Sequence, residues 1–185
     1  MDTEQLLSVF NGLIVRYRLA LVPNEPKRIF KGIWAADVEH DESGNFVGCG
    51  FYSGDHIVYY YSDLSILNSC DFHAISLVCH NGVSDIECLR LWGIDIKDEQ
   101  LYWDTFLIGH IIDSSEKSYG LKPMVEQKLN FVYPSYDDIC GKKTAKQAKE
   151  RVTLDKQPVE LVMMYNAMDC YATWELYERQ IKNLY

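Results

Sequence analysis

Apolar and polar positions alternate with different periods along this chain. Apolar residues at helical spacing predict a packing helix over residues 4–20, and two prolines predict a turn over residues 22–27. An apolar run then predicts a buried strand over residues 32–40. Runs rich in β-branched and aromatic residues predict a hairpin whose strands cover residues 46–52 and 56–61.

Strands and helices alternate in the second half of the chain. Short strands are predicted at residues 74–79 and 101–104. Capping residues, glycine stops and apolar spacing predict helices at residues 63–72, 84–92, 105–112, 119–130 and 158–183. Residues 133–157 are polar, rich in lysine and weakly periodic. Strands that cluster early and then alternate with helices predict an α/β fold around a mixed sheet.

Two carboxylates close the strand predicted at residues 32–40. Asp37 and Glu39 are spaced i, i+2, so they share one face of the strand. Burying two like charges together is costly and favours a compensating cation. We interpret the pair as half of a metal site. Taken alone, however, it fits better with a strand that runs into a solvated acidic turn, because Asp41 and Glu42 follow.

Two further carboxylates lie where they could complete such a site. Asp85 falls at a strand-to-helix turn, where α/β proteins commonly build sites, although the helix dipole also favours an acid there. Asp169 lies in the closing helix, with Tyr165 four residues before it on the same helix face. An aspartate in the middle of a helix, among methionines, is disfavoured by propensity and by burial, which weakens the surface alternative.

The order of these residues resembles a known family. Asp37-x-Glu39, Asn81-x-x-x-Asp85 and Tyr165-x-x-x-Asp169 are similar to the motifs of the DnaQ-like 3′–5′ exonucleases with four acids and a tyrosine (the DEDDy type). The resemblance is closest to the proofreading domain of family-A DNA polymerases. It extends over roughly residues 30–180, with supporting segments at residues 80–85, 91–94, 104–107, 119–129 and 136–142.

The resemblance implies a fold and a division of the chain. The fold would be of the RNase H-like (DnaQ-like exonuclease) α/β class, a mixed β-sheet flanked by helices. Residues 29–185 would form the exonuclease domain, and residues 1–28 would form an N-terminal helix and linker within a single globular unit.

The resemblance also implies a two-metal-ion mechanism. Asp37, Glu39, Asp85 and Asp169 would hold two ions of Mg²⁺ or Mn²⁺, since the ligands are all oxygen atoms. Asp37 would contact both ions, and Asp85 would act through water. Tyr165 would orient the attacking water. Each step would release one nucleoside 5′-monophosphate from a DNA 3′ end.

Substrate contacts are predicted from fewer signals. Asn81 would help to position the terminal nucleotide, next to His80, which stands where the family commonly has glutamine. Tyr136 would stack on a base, or else belong to the core. Lys142 and Lys143 begin the dense basic run that continues through Lys146, Lys149 and Arg151. This run would hold phosphates, or else form a solvated helix face.

Two further positions near the predicted site depart from the family pattern. Ser84 stands where many members carry an aromatic residue that packs on the substrate. Ser43 falls near a family leucine that wedges between terminal bases, and Phe46 is the candidate substitute. These differences are expected to affect substrate binding and the selectivity for paired or unpaired ends, and not the metal chemistry.

Composition and charge restrict the partners and the compartment. The 185 residues carry a net charge of −9, so nucleic-acid binding would need a local basic patch. The six cysteines are scattered without a CxxC pair, which indicates core residues in a reducing compartment. The N-terminus is acidic, unlike a secretory signal, and no apolar stretch approaches a membrane-spanning length. We expect a cytoplasmic or other reducing intracellular location, with no secretion and no membrane.

We predict a 3′–5′ exodeoxyribonuclease that acts on single-stranded DNA 3′ ends in proofreading or DNA processing. It would be free-standing or would act with a DNA polymerase in cis or in trans. An enzyme that resembles ribonuclease D and trims RNA shares the acids; residues 136–142 favour the polymerase branch. A catalytically silent module that binds a strand or a partner is the alternative of another class. It is disfavoured because all four acids and the tyrosine are present.

Overall fold

In the computed structural model, the described residues, 1–141 and 152–184, form one sheet of six strands. The strands are β1 (Ala20–Pro23), β2 (Ile29–His40), β3 (Phe46–Tyr52), β4 (Ile57–Tyr61), β5 (Asp71–Cys79) and β6 (Leu101–Asp104). Their order across the sheet is β1-β4-β3-β2-β5-β6. Because β2 pairs antiparallel with β3 and parallel with β5, it has neighbours on both sides and the sheet is mixed.

Helices flank this sheet on both faces. They are α1 (Thr3–Arg16), α2 (Leu64–Leu67), α3 (Gly82–Leu91), α4 (Thr105–Ile112), α5 (Leu121–Leu129), α6 (Tyr136–Cys140) and α7 (Val159–Leu184). The long helix α7 contacts β2, β3 and β4, and it also contacts α1, α4 and α5. The predicted α/β class, a mixed sheet flanked by helices, is confirmed.

Apolar clusters cover both faces of the sheet around β2. Phe10 of α1, Val125 of α5 and Leu161 of α7 belong to the core on one face. Ala36 of β2 and Leu89 of α3 belong to the core on the opposite face. Because successive strand residues point to opposite faces, every second residue of β2 faces α7. The strand therefore has a buried face that ends close to the long helix.

Residues 17–23 differ from their prediction. The helix α1 ends at Arg16 instead of continuing to residue 20, and Arg18 adopts the left-handed region with φ 56°. The chain then forms β1, which pairs in parallel with β4 from Ala20 onward, where residues 22–27 were predicted to be a turn. Pro23 is tolerated because β1 is an edge strand. This pairing joins distant parts of the chain, so no local pattern signals it.

The predicted helix over residues 63–72 is also shorter in the structure. Only α2 forms, and Asp63 caps it by accepting hydrogen bonds from the N–H groups of Ser65 and Ile66. The strand β5 begins at Asp71 instead of residue 74, because Asp71 pairs with Ile29 at the start of β2. Pairing across the sheet therefore overrides the local helical pattern.

One short helix lies in the segment predicted to be weakly periodic. The helix α6 begins after Ser135, whose hydroxyl and the Asp138 carboxylate form a reciprocal capping box. Cys49, Cys70, Cys79, Cys88 and Cys170 are free thiols. The domain boundary at residue 28 stays a prediction.

Among the described helices, none combines the length and the apolar character that a membrane crossing requires.

Candidate active site

The end of β2 brings three of the predicted carboxylates together. Asp37 and Glu39 both face α7, where they meet Asp169, and ligand oxygens of the three lie within 4.8 Å of one another. Glu39 is 8% exposed and Asp169 is 5% exposed, whereas Asp37 is half-buried. We refer to these residues as the carboxylate triad. Three acids with so little access to water are costly unless protons or cations neutralise them.

The fourth predicted carboxylate lies within electrostatic reach of the triad. Asp85 is buried in the first turn of α3, and its charge acts on Asp37. Asp85 Oδ2 is buried without a hydrogen-bond partner among the described residues. A buried oxygen of this kind is typical of a position that a ligand satisfies.

Burial shifts the pKa values of these acids upward. Loss of hydration raises the pKa of Glu39 to about 8, and the Asp169 charge adds to this effect. Burial likewise raises the pKa of Asp85 to about 8. Burial, and then the charges of Glu39 and Asp169, raise the pKa of Asp37 well above its usual range. At neutral pH the cluster therefore favours bound protons or a bound cation.

Asp104 positions the turn that leads to Asp85. Its carboxylate accepts hydrogen bonds from the N–H groups of Asn81 (3.1 Å) and Gly82 (2.8 Å). It also caps α4 by accepting from the N–H of Phe106 at 2.9 Å. Asn81 lies in the left-handed region with φ 70°, which asparagine tolerates better than most residues. One carboxylate thus anchors the beginnings of both helices beside the triad.

Lys122 and Tyr133 are site residues that the sequence did not reveal. Lys122 Nζ lies 2.7 Å from Asp169 Oδ1 and donates to the Tyr165 hydroxyl at 3.2 Å. The Tyr133 hydroxyl also donates to Asp169 Oδ1. A lysine in the first turn of a helix resembles any solvated lysine, and Tyr133 resembles any core aromatic, so neither carries a local signal.

Tyr165 is held as a neutral phenol beside the triad. It is 6% exposed and lies one helical turn before Asp169 on α7. Burial, and then the charges of Asp169 and Glu39, raise the pKa of Tyr165 well above its usual range. Its hydroxyl can therefore orient a water molecule by hydrogen bonding, but it is not available as a phenolate base.

Asn166 connects α7 to the backbone of β2. Its Nδ2 donates to Asp37 Oδ2 at 2.8 Å and to the Asp37 carbonyl at 3.1 Å. Gly50 pairs with Asp37 across the β2–β3 ladder and leaves room for this side chain. A Cβ on Gly50 would lie 2.0 Å from Asn166 Oδ1 and 2.8 Å from Cys170 Sγ. Two features of the sequence could have indicated this contact: a glycine inside a strand and an asparagine in an apolar helix.

Replacing Gly50 with alanine is expected to destabilise the protein by about 1–3 kcal/mol, the usual cost of overpacking. The added methyl group would displace Asn166 and separate α7 from β2. Urea denaturation measures this change in the free energy of unfolding. Gly12→Ala is the matched control, because Gly12 lies in α1 with no atom within 4 Å of its added Cβ. Equal stability of the Gly50→Ala protein and the wild type would contradict the expectation.

Two of the predicted substrate residues lie at the same end of the sheet. Burial lowers the pKa of His80 to about 4, so its imidazole is neutral, and its Nδ1 lies 2.8 Å from Thr105 Oγ1. The Asn81 side chain is exposed and makes no capping hydrogen bond. Tyr136 is the first residue of α6 and packs partly against the core. The substrate roles of all three stay predictions.

The predicted basic run lies outside the described residues. This applies to Lys142 and Lys143, and also to Lys146, Lys149 and Arg151. The phosphate-binding role of the run therefore stays a prediction.

The turn after β2 is closed by its own side chains. The Asp41 carboxylate accepts from the N–H groups of Ser43 and Asn45, both at 2.8 Å. Trp92 Nε1 donates to the Gly44 carbonyl at 3.1 Å. Phe46 packs edge-on against Trp92, with 5.0 Å between the ring centroids. Phe46 is thus held at the start of β3, while its role as a wedge stays a prediction.

The donor set of the cluster fits a hard divalent cation. The triad offers carboxylate oxygens and no sulfur or imidazole nitrogen, which favours Mg²⁺ or Mn²⁺ over zinc. The unpartnered Asp85 oxygen and the raised pKa values of the acids agree with a site built for positive charge. Among the described residues, the triad is the one group of three or more such ligands that could hold a metal ion.

Comparison with known proteins agrees with this geometry. Residues 53–184 match the family model described as 3′–5′ exonuclease, of the family-A DNA polymerase type. The matched range begins after β2, so it includes Asp85, Tyr165 and Asp169 but not the other two acids. No curated protein sequence matches the chain.

Two solved structures are similar in fold. One, described as the apo form of the nuclease, is 14% identical with a TM-score of 0.54, covering 86% of this chain and 82% of that one. The other, Brucella melitensis NrnC, is 15% identical with a TM-score of 0.54, covering 85% and 82%. Together with the family match, they confirm the predicted RNase H-like fold.

Proposed function

This chain belongs to the 3′–5′ exonuclease family, in its family-A DNA polymerase branch, and from that premise we propose that it shortens DNA from the 3′ end. It would hydrolyse the terminal phosphodiester bond and release one nucleoside 5′-monophosphate in each step. The observation that carries the proposal is the approach of Asp37, Glu39 and Asp169 to within 4.8 Å of one another at the end of β2.

The four carboxylates would bind two divalent ions. When bound, Mg²⁺ or Mn²⁺ would lower the pKa of a water molecule and balance charge on the scissile phosphate. Asp37 interacts with each of the other three carboxyl groups, so it is the natural ligand to share between both ions. Glu39 and Asp169 would be the remaining ligands of the ion within the triad, and Asp85 would hold the second ion.

Tyr165 would orient the attacking water. Its hydroxyl accepts a hydrogen bond from Lys122, which leaves the phenolic proton available for donation to another oxygen. Because burial keeps the phenol neutral, the residue would position the water without taking its proton.

The substrate we propose is a single-stranded DNA 3′ end. Asn81, with an exposed side chain next to Asp85, would contact the terminal nucleotide together with the neutral His80. Tyr136 would stack on a base, and Lys142 and Lys143 would bind phosphates. A net charge of −9 offers no bulk attraction for duplex DNA, so local contacts must hold the strand. Association with a DNA polymerase, in cis or in trans, would make proofreading the biological role.

Digestion of matched oligonucleotides tests the proposal. Single-stranded DNA and RNA of one sequence, each labelled at the 5′ end, would be incubated with Mg²⁺, with Mn²⁺ or with a chelator. A ladder of shortened DNA that disappears with the chelator is the expected result. Faster shortening of RNA would favour the ribonuclease D-like alternative. Absence of hydrolysis of either strand with both metals would indicate a silent binding module.

A further inference from the structure

We propose that Lys122 is a positioning residue that acts as a built-in counter-cation of the carboxylate triad. Its ammonium group holds Asp169 and Tyr165 in place and competes with the divalent ion for Asp169. This role rests on the proposed function, because it concerns the same metal site.

The contacts of Lys122 converge on the two catalytic side chains of α7. Its Nζ lies 2.7 Å from Asp169 Oδ1 and 3.2 Å from the Tyr165 hydroxyl oxygen. The same atom lies 4.4 Å from the ring centroid of Tyr133 and 4.5 Å from that of Tyr165. Two aromatic faces and a buried carboxylate thus define a specific cation position.

No other cation of the described chain shares this position. Among the ion pairs within residues 1–141 and 152–184, the pair of Lys122 and Asp169 is the one that involves a carboxylate of the site. The Asp169 side chain is 7% exposed and that of Lys122 is 23% exposed. The ammonium therefore balances part of the negative charge, yet it remains close enough to solvent to withdraw on its flexible stem.

A divalent ion and this ammonium group would bind the same carboxylate. An ion bound by Asp169 would share Oδ1 with Lys122 or use Oδ2 of the same group, and in either case the two nearby positive charges repel. Removing the ammonium charge would tighten binding of the ion, by roughly tenfold for charges a few ångströms apart. The Tyr165 hydroxyl would at the same time lose its donor and become free to rotate. Metal affinity and turnover should therefore change in opposite directions.

The opposite changes in metal affinity and turnover distinguish a positioning role of Lys122 from a purely structural one. A lysine that only supports the fold would, when removed, loosen the site and weaken metal binding and turnover together. The built-in counter-cation instead predicts tighter metal binding with slower turnover. The helix α5 supplies a matched control, since Lys128 lies on the same helix but pairs with Glu116, away from the triad.

The test measures Mn²⁺ binding without nucleic acid, by the electron paramagnetic resonance signal of free Mn²⁺, and turnover separately. Lys122→Met is expected to bind Mn²⁺ roughly tenfold more tightly and to turn over at least tenfold more slowly than the wild type. Lys128→Met is expected to match the wild type in both. Lys122→Arg retains the charge and should keep wild-type Mn²⁺ affinity, which covers the case that Lys122→Met does not fold.

The outcomes distinguish this role from the proposed function. Unchanged or weaker Mn²⁺ binding by a folded Lys122→Met protein, with binding by the wild type intact, would overturn the counter-cation role alone. The counter-cation role would also be overturned if Lys122→Arg, which keeps the positive charge, bound Mn²⁺ about tenfold more tightly than the wild type. A wild-type protein that binds no Mn²⁺ would refute the proposed function, and the counter-cation role with it.

Discussion

Replacing Asp37 with asparagine is expected to abolish metal-dependent release of mononucleotides. The carboxylate is the proposed shared ligand of both ions, so its loss removes the charge that assembles the whole site. A loss of about 4 kcal/mol of transition-state stabilisation corresponds to about a 10³-fold decrease in rate. The measurement is the rate of mononucleotide release from a labelled single strand in Mg²⁺.

The same substitution should leave the fold intact. An asparagine has the size of the aspartate, and its amide oxygen can still accept the hydrogen bond from Asn166. Burial and the neighbouring charges of Glu39 and Asp169 disfavour the Asp37 carboxylate, so its neutralisation should raise the melting temperature in the presence of chelator. Loss of activity with gain of stability would show that this acid serves function and not folding.

Glu42→Gln is the matched control for the Asp37 substitution. Glu42 lies in the exposed turn directly after β2, and its replacement removes one acid without touching the triad. We expect its rate to match that of the wild type. A rate near the wild-type value for the Asp37→Asn protein would rule out the proposed site.

The metal-free protein is expected to lose stability as the pH rises toward 8. Glu39 and Asp85 have pKa values of about 8 in the folded protein, above those of the same side chains in the unfolded chain. At pH values between the unfolded-state pKa and the folded-state pKa, the folded state binds more protons than the unfolded state. The free energy of unfolding therefore decreases as the pH rises through this range. Each such carboxyl contributes a slope of up to about 1.4 kcal/mol per pH unit, and this contribution levels off above the folded pKa.

Urea denaturation at a series of pH values, with chelator or with Mg²⁺, measures this effect. A saturating divalent ion binds the ionised carboxylates of the folded state, so it should flatten or reverse the slope. The double variant Glu39→Gln, Asp85→Asn should flatten it in chelator as well. If the double variant and the wild type have the same slope in chelator, the buried acids are not the cause of the pH dependence.

Local backbone geometry made much of the site predictable. Residues at i and i+2 of a strand share a face, so Asp37 and Glu39 were expected together, and the structure places both toward α7. Residues at i and i+4 of a helix share a face, so Tyr165 and Asp169 were expected together as well. Neither inference needed any knowledge of distant contacts, and the order of the motifs then identified the family.

Segments whose structure depends on distant partners were predicted less well. Residues 20–23 became β1 because β4 offers a free edge, and residues 71–73 joined β5 because β2 begins at Ile29 beside them. In both places the pairing energy of a neighbouring strand outweighed the local preference for a helix or a turn. Sequence patterns over ten or fifteen residues do not indicate which distant strand will pair with a segment.

The amino-acid sequence by itself determined the α/β class, the family, and which acids and tyrosine could form a site. Only the tertiary structure decided what completes that site. Asn166 reaches Asp37 across 129 residues of chain, and Lys122 reaches Asp169 across 47. Periodicity reports how a side chain lies on its own helix or strand, because backbone geometry repeats locally. Which distant side chain meets it depends on how the elements pack, and packing brought a lysine into a cluster of carboxylates.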